Sequence, residues 1–159
     1  MPERILMTPA GYQKVLADLN LHRKVLRPQN IVALEEARAH GDLSENAEYD
    51  AAKDRQSHIE GRIKELEAKV SLAQVIDIAT ITPSERVIFG TTVDLEDEDT
   101  GESLTYRIVG MEEADVKQGC ISYTSPIGKA VLGRSVGESV RFETPKGTRS
   151  LSINAVHYR

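Results

Sequence analysis

Apolar residues recur at helical spacing through the first half of the chain and alternate with polar ones in the second. Tyr49, Ala52, Gln56, Ile59, Ile63, Leu66, Val70 and Ala73 lie 3, 4, 3, 4, 3, 4 and 3 positions apart. This is a heptad seam with one polar member, Gln56. The remaining faces carry Asp50, Asp54, Arg55, Arg62, Lys64, Glu65 and Lys69, as a solvated surface requires. Upstream, Tyr12, Val15, Leu16 and Leu19 start a second apolar face that Ile31, Leu34 and Ala37 resume. Thr8-Pro9 supplies its beginning, a hydroxyl N-cap followed by proline at the first helical position. Pro28 sits inside the pattern and predicts a kink. His40-Gly41-Asp42 reads as the helix end, with Gly41 where a positive φ is favoured. The short turn makes the two helices antiparallel. Residues 8–77 are therefore expected to form a long antiparallel coiled-coil hairpin. Helices of about 30 residues are roughly 45 Å long at 1.5 Å per residue.

The second half changes period. Val87-Ile-Phe89, Thr92-Val-Asp-Leu95, Tyr106-Arg-Ile-Val109, Ile121-Ser-Tyr123, Val140-Arg-Phe142 and Leu151-Ser-Ile153 predict short strands. Asp99-Thr-Gly101 and Pro145-Lys-Gly147 are turn signals between them. Pro126 to Leu132 predicts a short helix begun by Ser125. No proline falls between Pro28 and Pro83, and only Gly11, Gly41 and Gly61 precede Gly90. The change to glycine-punctuated sequence around Pro83 places a boundary there: a helical domain over 1–79 and a small domain over 80–159. The expected class is α+β, a coiled-coil hairpin followed by a mostly antiparallel sheet with one helix against it.

Composition narrows the function. The 159 residues include two Phe, five Tyr and no Trp, and 20 basic against 25 acidic side chains leave a net charge of −5. Binding to nucleic acid through bulk charge is thereby disfavoured. No apolar run approaches the roughly 20 residues of a bilayer span, and the N-terminus lacks a signal-peptide layout. Cys120 is the only cysteine; it forms no internal disulfide and fits a small buried residue in a reducing cytoplasm. His22, His40, His58 and His157 lack metal-ligand spacing. The six acids between Asp94 and Glu102 suit a solvated hairpin better than a calcium loop.

The turn between the predicted helices concentrates the chemistry. Gly41-Asp42-Leu43-Ser44-Glu45-Asn46-Ala47-Glu48-Tyr49 sets Asp42 and Glu45 three positions apart, about 5–6 Å between Cβ atoms on a helical backbone. Two carboxylates so placed can share a hard cation. They also match a capping-box variant, with Asp42 as N-cap and Glu45 at the third helical position, although Ser44 could cap the same helix. A pair of carboxylates alone does not hold Mg²⁺ tightly. The metal reading therefore requires further ligands from a partner.

The run Ala37-Arg38-Ala39-His40-Gly41-Asp42-Leu43-Ser44-Glu45-Asn46-Ala47-Glu48-Tyr49, followed by Ala51-Ala52-Lys53, resembles the signature of the bacterial Gre transcription elongation factors of the GreA type. The likeness covers nearly the whole chain. It includes Met7-Thr8-x-x-Gly11, Arg27-Pro28, Glu60-x-Arg62-Ile63-x-x-Leu66-Glu67 and Ala73-x-Val75-Ile76-Asp77. Further on it includes Val87-x-Phe89-Gly90, Ile108-Val109-Gly110, Glu113-Ala114-Asp115, Ile121-Ser122 and Ser125-Pro126.

The resemblance implies an N-terminal coiled coil and an FKBP-like C-terminal domain. It implies a monomeric, cytoplasmic accessory factor that binds bacterial RNA polymerase through the secondary channel. Such a factor stimulates cleavage of the nascent RNA 3′ end in backtracked complexes, using the polymerase's own active site. By motif match Asp42 and Glu45 are the acids that help hold a Mg²⁺ shared with the polymerase and position the attacking water. Arg38 and Lys53 match RNA-contacting positions, and Arg55 is read as an ordinary solvated charge. Ser44 is a candidate cap, Asn46 is expected to order the turn and Tyr49 to pack in the seam. Ser125-Pro126 matches the loop that docks on the polymerase. The alternatives are a Gre-fold inhibitor of the polymerase, or a coiled-coil chaperone or isomerase adaptor. Prolyl isomerase activity is not implied by the fold alone.

Overall fold

The computed structural model describes residues 3–41 and 46–159. Its contacts separate two compact units: Tyr12–Leu72, and Glu3–Gly11 together with Ala73–Arg159. The chain thus enters the second unit, leaves it and returns, and the return falls at Leu72/Ala73, upstream of Pro83. The reason is a pair of short strands. β1 (Ile5–Met7) pairs in parallel with β2 (Ala73–Val75), Ile5 opposite Ala73 and Met7 opposite Val75. The apolar period continues to Ala73, but the helix stops at Leu72.

The long helices are α1 (Pro9–Leu21), whose first three residues count with the second unit, α2 (Arg27–Ala39) and α3 (Ala47–Leu72). Thr8 starts α1 as N-cap, its Oγ1 accepting the Gly11 N–H at 3.1 Å. The same hydroxyl, buried, donates to the Glu113 carboxylate. Between α1 and α2, His22–Leu26 forms one π-helical turn, and the Arg27 N–H donates to the His22 carbonyl five residues back. Pro28 lacks the N–H that Lys24 would bond in an α-helix, and its ring crowds that carbonyl. The wider turn just ahead of Pro28 accommodates both defects without ending the helix. At the end of α2, Gly41 takes φ +92° and donates to the Arg38 carbonyl.

The seam of α3 is inward as its spacing requires. Ala52, Ile63 and Leu66 are buried, and Tyr49, Gln56, Ile59 and Val70 are half-buried. Val15, Leu19, Leu34 and Ala37 bury the opposing arm. The antiparallel sense shows in the cross-links: Arg23 meets Glu67, Arg27 meets Glu60, Asn30 meets Ala52, and Ala37 meets Asn46. Arg27 and Glu60 form a bidentate pair at 2.8 and 2.7 Å. Arg62 joins Asp18 at 2.8 Å and Glu65 at 3.1 Å. The family-like residues Arg27, Glu60 and Arg62 therefore lace the hairpin from outside.

The second unit holds a five-stranded sheet in the order β5-β4-β3-β7-β6. Its strands are β3 (Thr92–Asp97), β4 (Ser103–Val109), β5 (Cys120–Ser122), β6 (Ser139–Thr144) and β7 (Gly147–His157). All neighbours are antiparallel except β4 and β5, so the sheet is mixed. The register of β3 on β7 shifts between Asp94 and Leu95, a bulge that strengthens the local twist. Val93, Leu95, Ile108, Ile121, Val140, Leu151 and Ile153 bury one face, with Val131 of α4 (Pro126–Val131) against them. Ser125 caps α4, its Oγ accepting the Gly128 N–H at 3.1 Å.

Three expectations change in this unit. Val87 and Phe89 are buried in the core, yet their segment is not a strand. The Val87 N–H donates to Arg134 and its carbonyl accepts from Gly133, so it closes a loop. Cys120 is only half-buried, because β5 is an edge strand. The acidic hairpin is not wholly solvated: Asp97 is buried, accepts the N–H groups of Asp99 and Thr100, and pairs with Arg149 at 3.1 Å.

Candidate functional site

The sequence places its chemistry where the two long helices meet, and the described residues on either side show how that junction is held. Asp42, Ser44 and Glu45 lie outside the described residues. Asn46 is the N-cap of α3. Its Oδ1 accepts the Tyr49 N–H at 3.0 Å, and its Nδ2 donates to the Ala37 carbonyl at 2.6 Å. The Asn46 carbonyl also accepts the Asp50 N–H, the first bond of the α3 ladder. The capping of α3 that the spacing offered to Asp42 or Ser44 is thus performed by Asn46, because α3 begins at Ala47, after Glu45.

Around this junction Arg38 is exposed on the last turn of α2. Lys53 is exposed on α3, its Nζ donating to Gln56 Oε1 at 3.1 Å. Arg55 donates through Nε to Asn30 Oδ1 at 3.2 Å, which gives it a structural task. Asn30 is buried and donates its amide to the Ala52 carbonyl at 2.9 Å. His40 lies 3.5 Å from Glu48, joining α2's C-cap to α3's first turn. Tyr49 is half-buried. Ser125 and Pro126 belong to the other unit. The Ser125 hydroxyl is occupied, donating to the Ser122 carbonyl at 2.6 Å while it caps α4, and the Pro126 ring is exposed.

Four carboxyls among the described residues lie below their ordinary value, each beside a hydrogen-bonding partner. The guanidinium of Arg27 holds the Glu60 carboxyl below its ordinary value, and Lys69 with Arg62 does the same for Glu65. His157 first, then Thr105, lowers Asp94. The backbone N–H groups of Asp99 and Thr100, with Arg149, lower Asp97. Each is a carboxylate kept charged by a structural partner. Among the described residues no group of three or more His, Cys, Asp or Glu side chains could hold a metal ion. A cleft of about 300 Å³ beside the seam is lined by Arg27, Asn30, Ile31, Gln56, Ile59 and Glu60. It presents an already satisfied ion pair and no nucleophile. Sequence reading missed the Asn46–Ala37 and Asn30–Ala52 bonds. The only available signal was an asparagine at each place where the seam thins to alanine.

Comparison with known proteins identifies the family. Residues 5–75 match the family model for the N-terminal region of transcription elongation factors, and residues 82–158 match that for the GreA/GreB C-terminal region. Transcription elongation factor GreA of Verminephrobacter eiseniae is 50% identical over 155 residues, 98% of each chain. The protein of the same name from Thioalkalivibrio sulfidiphilus is 51% identical over 152 residues, 96% of each chain. Among solved structures, GreA factor homolog 1 of Thermus thermophilus is 32% identical, with 98% of this chain and 99% of that one covered and a TM-score of 0.44. With both halves matched by their models and relatives half-identical from end to end, the chain belongs to the GreA/GreB family of transcription elongation factors.

Proposed function

We propose that the protein is an accessory factor of bacterial RNA polymerase that enters the secondary channel and stimulates cleavage of the RNA 3′ end in backtracked complexes. It has no turnover alone and acts as a monomer. Near-complete likeness to proteins named transcription elongation factor GreA supports this reading. The observation that carries it furthest is Asn46 as the cap of α3, which leaves the acids of the motif without that duty. Asp42 and Glu45 would hold a Mg²⁺ jointly with ligands of the polymerase. Their donor set, carboxylate oxygens alone, suits a hard cation, and two such ligands suit one completed from elsewhere. Bound there, the ion supplies charge neutralisation and an activated water for in-line phosphodiester hydrolysis.

The remaining roles follow from exposure. Arg38 and Lys53, exposed cations close to α2's end and α3's start, would approach the phosphates of the extruded RNA 3′ end, Lys53 exchanging its exposed hydrogen bond to Gln56. Arg55, tied to Asn30, is not assigned to RNA. For docking on the polymerase, Ser125 shapes the loop through its two hydrogen bonds, and Pro126 presents the contact. Asp42→Ala and Glu45→Ala should each abolish stimulated cleavage in a stalled, backtracked complex while leaving polymerase binding within about twofold. The order of loss is a hundredfold or more, as for removal of a group acting only in the transition state. Normal cleavage by both variants would remove the two acids from the site.

A further inference from the structure

We infer that Asn46 is a positioning residue for the cleavage reaction, acting through a clamp that joins the two helix ends flanking the acidic turn; this rests on the function proposed above. The last carbonyls of α2 and the first N–H groups of α3 have no partners within their own helices. Asn46 reaches one group at each end: the Tyr49 N–H, which is without a partner in α3, and the Ala37 carbonyl, which already accepts the His40 N–H at 3.2 Å and takes Asn46 as its second donor. The Asn46 amide donates to the Ala37 carbonyl at 2.6 Å, and its oxygen accepts the Tyr49 N–H at 3.0 Å. Ala37 is buried and Asn46 half-buried, so water does not compete freely for either bond.

Apolar packing thins toward this end among the described residues. Among the described residues, the seam at this end holds Ala37 and Ala52, with Leu34 one turn back and Tyr49 half-buried, and the two alanines are too small to fix a geometry by interdigitation. Amide-to-carbonyl bonds take over, Asn46 to Ala37 and, further along, Asn30 to Ala52 at 2.9 Å. Asparagine is the residue that can do both tasks at position 46. Its oxygen caps a helix as well as that of Asp or Ser, and its amide nitrogen donates from a second atom. Aspartate has no donor, and serine does both only from one atom on a shorter side chain, as Ser125 does. Residues 42–45, between Gly41 and Asn46, include both carboxylates of the proposed site, and the clamp joins the described helix ends on either side of them. Misplacement of catalytic groups by about 1 Å can cost a hundredfold in rate, so a loosened clamp should be read in chemistry before it is read in binding.

Asn46→Asp separates the two tasks, because aspartate keeps the cap and lacks the donor. Four quantities are measured for wild type, Asn46→Asp and Asn46→Ala. They are the RNA cleavage rate in a backtracked complex, the Mg²⁺ concentration for half-maximal rate, the affinity for polymerase by competition, and the thermal midpoint. The clamp predicts that Asn46→Asp cleaves roughly ten- to a hundredfold more slowly and needs more Mg²⁺, with wild-type affinity and a midpoint lowered by the lost bond to Ala37. Asn46→Ala should match it in cleavage and melt earlier still. Cleavage by Asn46→Asp at the wild-type rate and Mg²⁺ requirement would overturn the clamp and leave the cleavage function standing. A loss that merely tracks weaker polymerase binding would overturn it too. Absence of stimulated cleavage with the wild type would refute the function itself, and the clamp's role with it.

Discussion

At the scale of single residues, charge in this protein is mostly structural, and its pH response follows. Asp97 is the nucleus of the β3–β4 turn, accepting two backbone N–H groups and the Arg149 guanidinium. Asp94 ties His157 of β7 to Thr105 of β4. Both carboxyls titrate below their ordinary value when folded. The stability they contribute is therefore complete above the ordinary carboxylate range near pH 4 and is lost as pH falls through the depressed values. Urea midpoints measured from pH 7 down to pH 2.5 (about the span of these titrations) should fall in that window. Asp97→Asn should lower the midpoint at pH 7 and flatten the fall. An unchanged slope would show that Asp97 is not a linked group.

At the scale of elements, two glycines give opposite expectations. Gly61 lies inside α3 with nothing within 4 Å of where a Cβ would stand. Gly61→Ala should stabilise the protein by about 0.5–1 kcal/mol through helix propensity alone. In α4 the Cβ of an alanine at Gly128 would collide with the Ser122 carbonyl oxygen, which is backbone and cannot step aside. Gly128→Ala should therefore destabilise the sheet unit, and paired denaturation curves decide both. In the seam, Leu66 is fully buried, and Leu66→Ala should cost about 2–5 kcal/mol by chemical denaturation.

How much of each element was legible follows from how local its cause is. The α3 seam, the Thr8 and Ser125 caps and the Gly41 end were readable because a period or a turn residue specifies them within one or two helical turns. β1 and β2 were not. Three-residue strands carry no period, and their pairing joins Ile5 to Ala73 across the whole helical unit. The π turn was half-legible, because Pro28 announces a defect without saying how the chain absorbs it. Val87 and Phe89 showed alternation and burial, which identify a core segment and not a hydrogen-bonded strand. At the candidate site the motif was legible, but the clamp was not, because its partner Ala37 acts through its backbone.

At the scale of the whole molecule, each unit carries its own hydrophobic interior, and among the described residues no helix is long and apolar enough to cross a membrane. The net charge of −5 leaves little attraction for nucleic acid by itself. Free RNA should therefore bind negligibly at about 0.15 M salt, where screening acts beyond roughly 8 Å. Filter binding tests this, and tight binding to free RNA would argue against a factor whose access to RNA comes through a polymerase. Under the proposed function, the sheet unit supplies the docking loop and the helical unit supplies the acids. Neither requires a closed active site of its own.

The most direct measurement is the addition of the wild-type protein to a purified bacterial elongation complex stalled in a backtracked state with Mg²⁺ present. The account predicts release of short RNA pieces from the 3′ end, followed by resumed elongation when nucleotides are supplied. Slowed elongation with intact RNA would contradict it and mark an inhibitor occupying the same channel. No effect on the polymerase at all would contradict the assignment of function while leaving the fold unchanged.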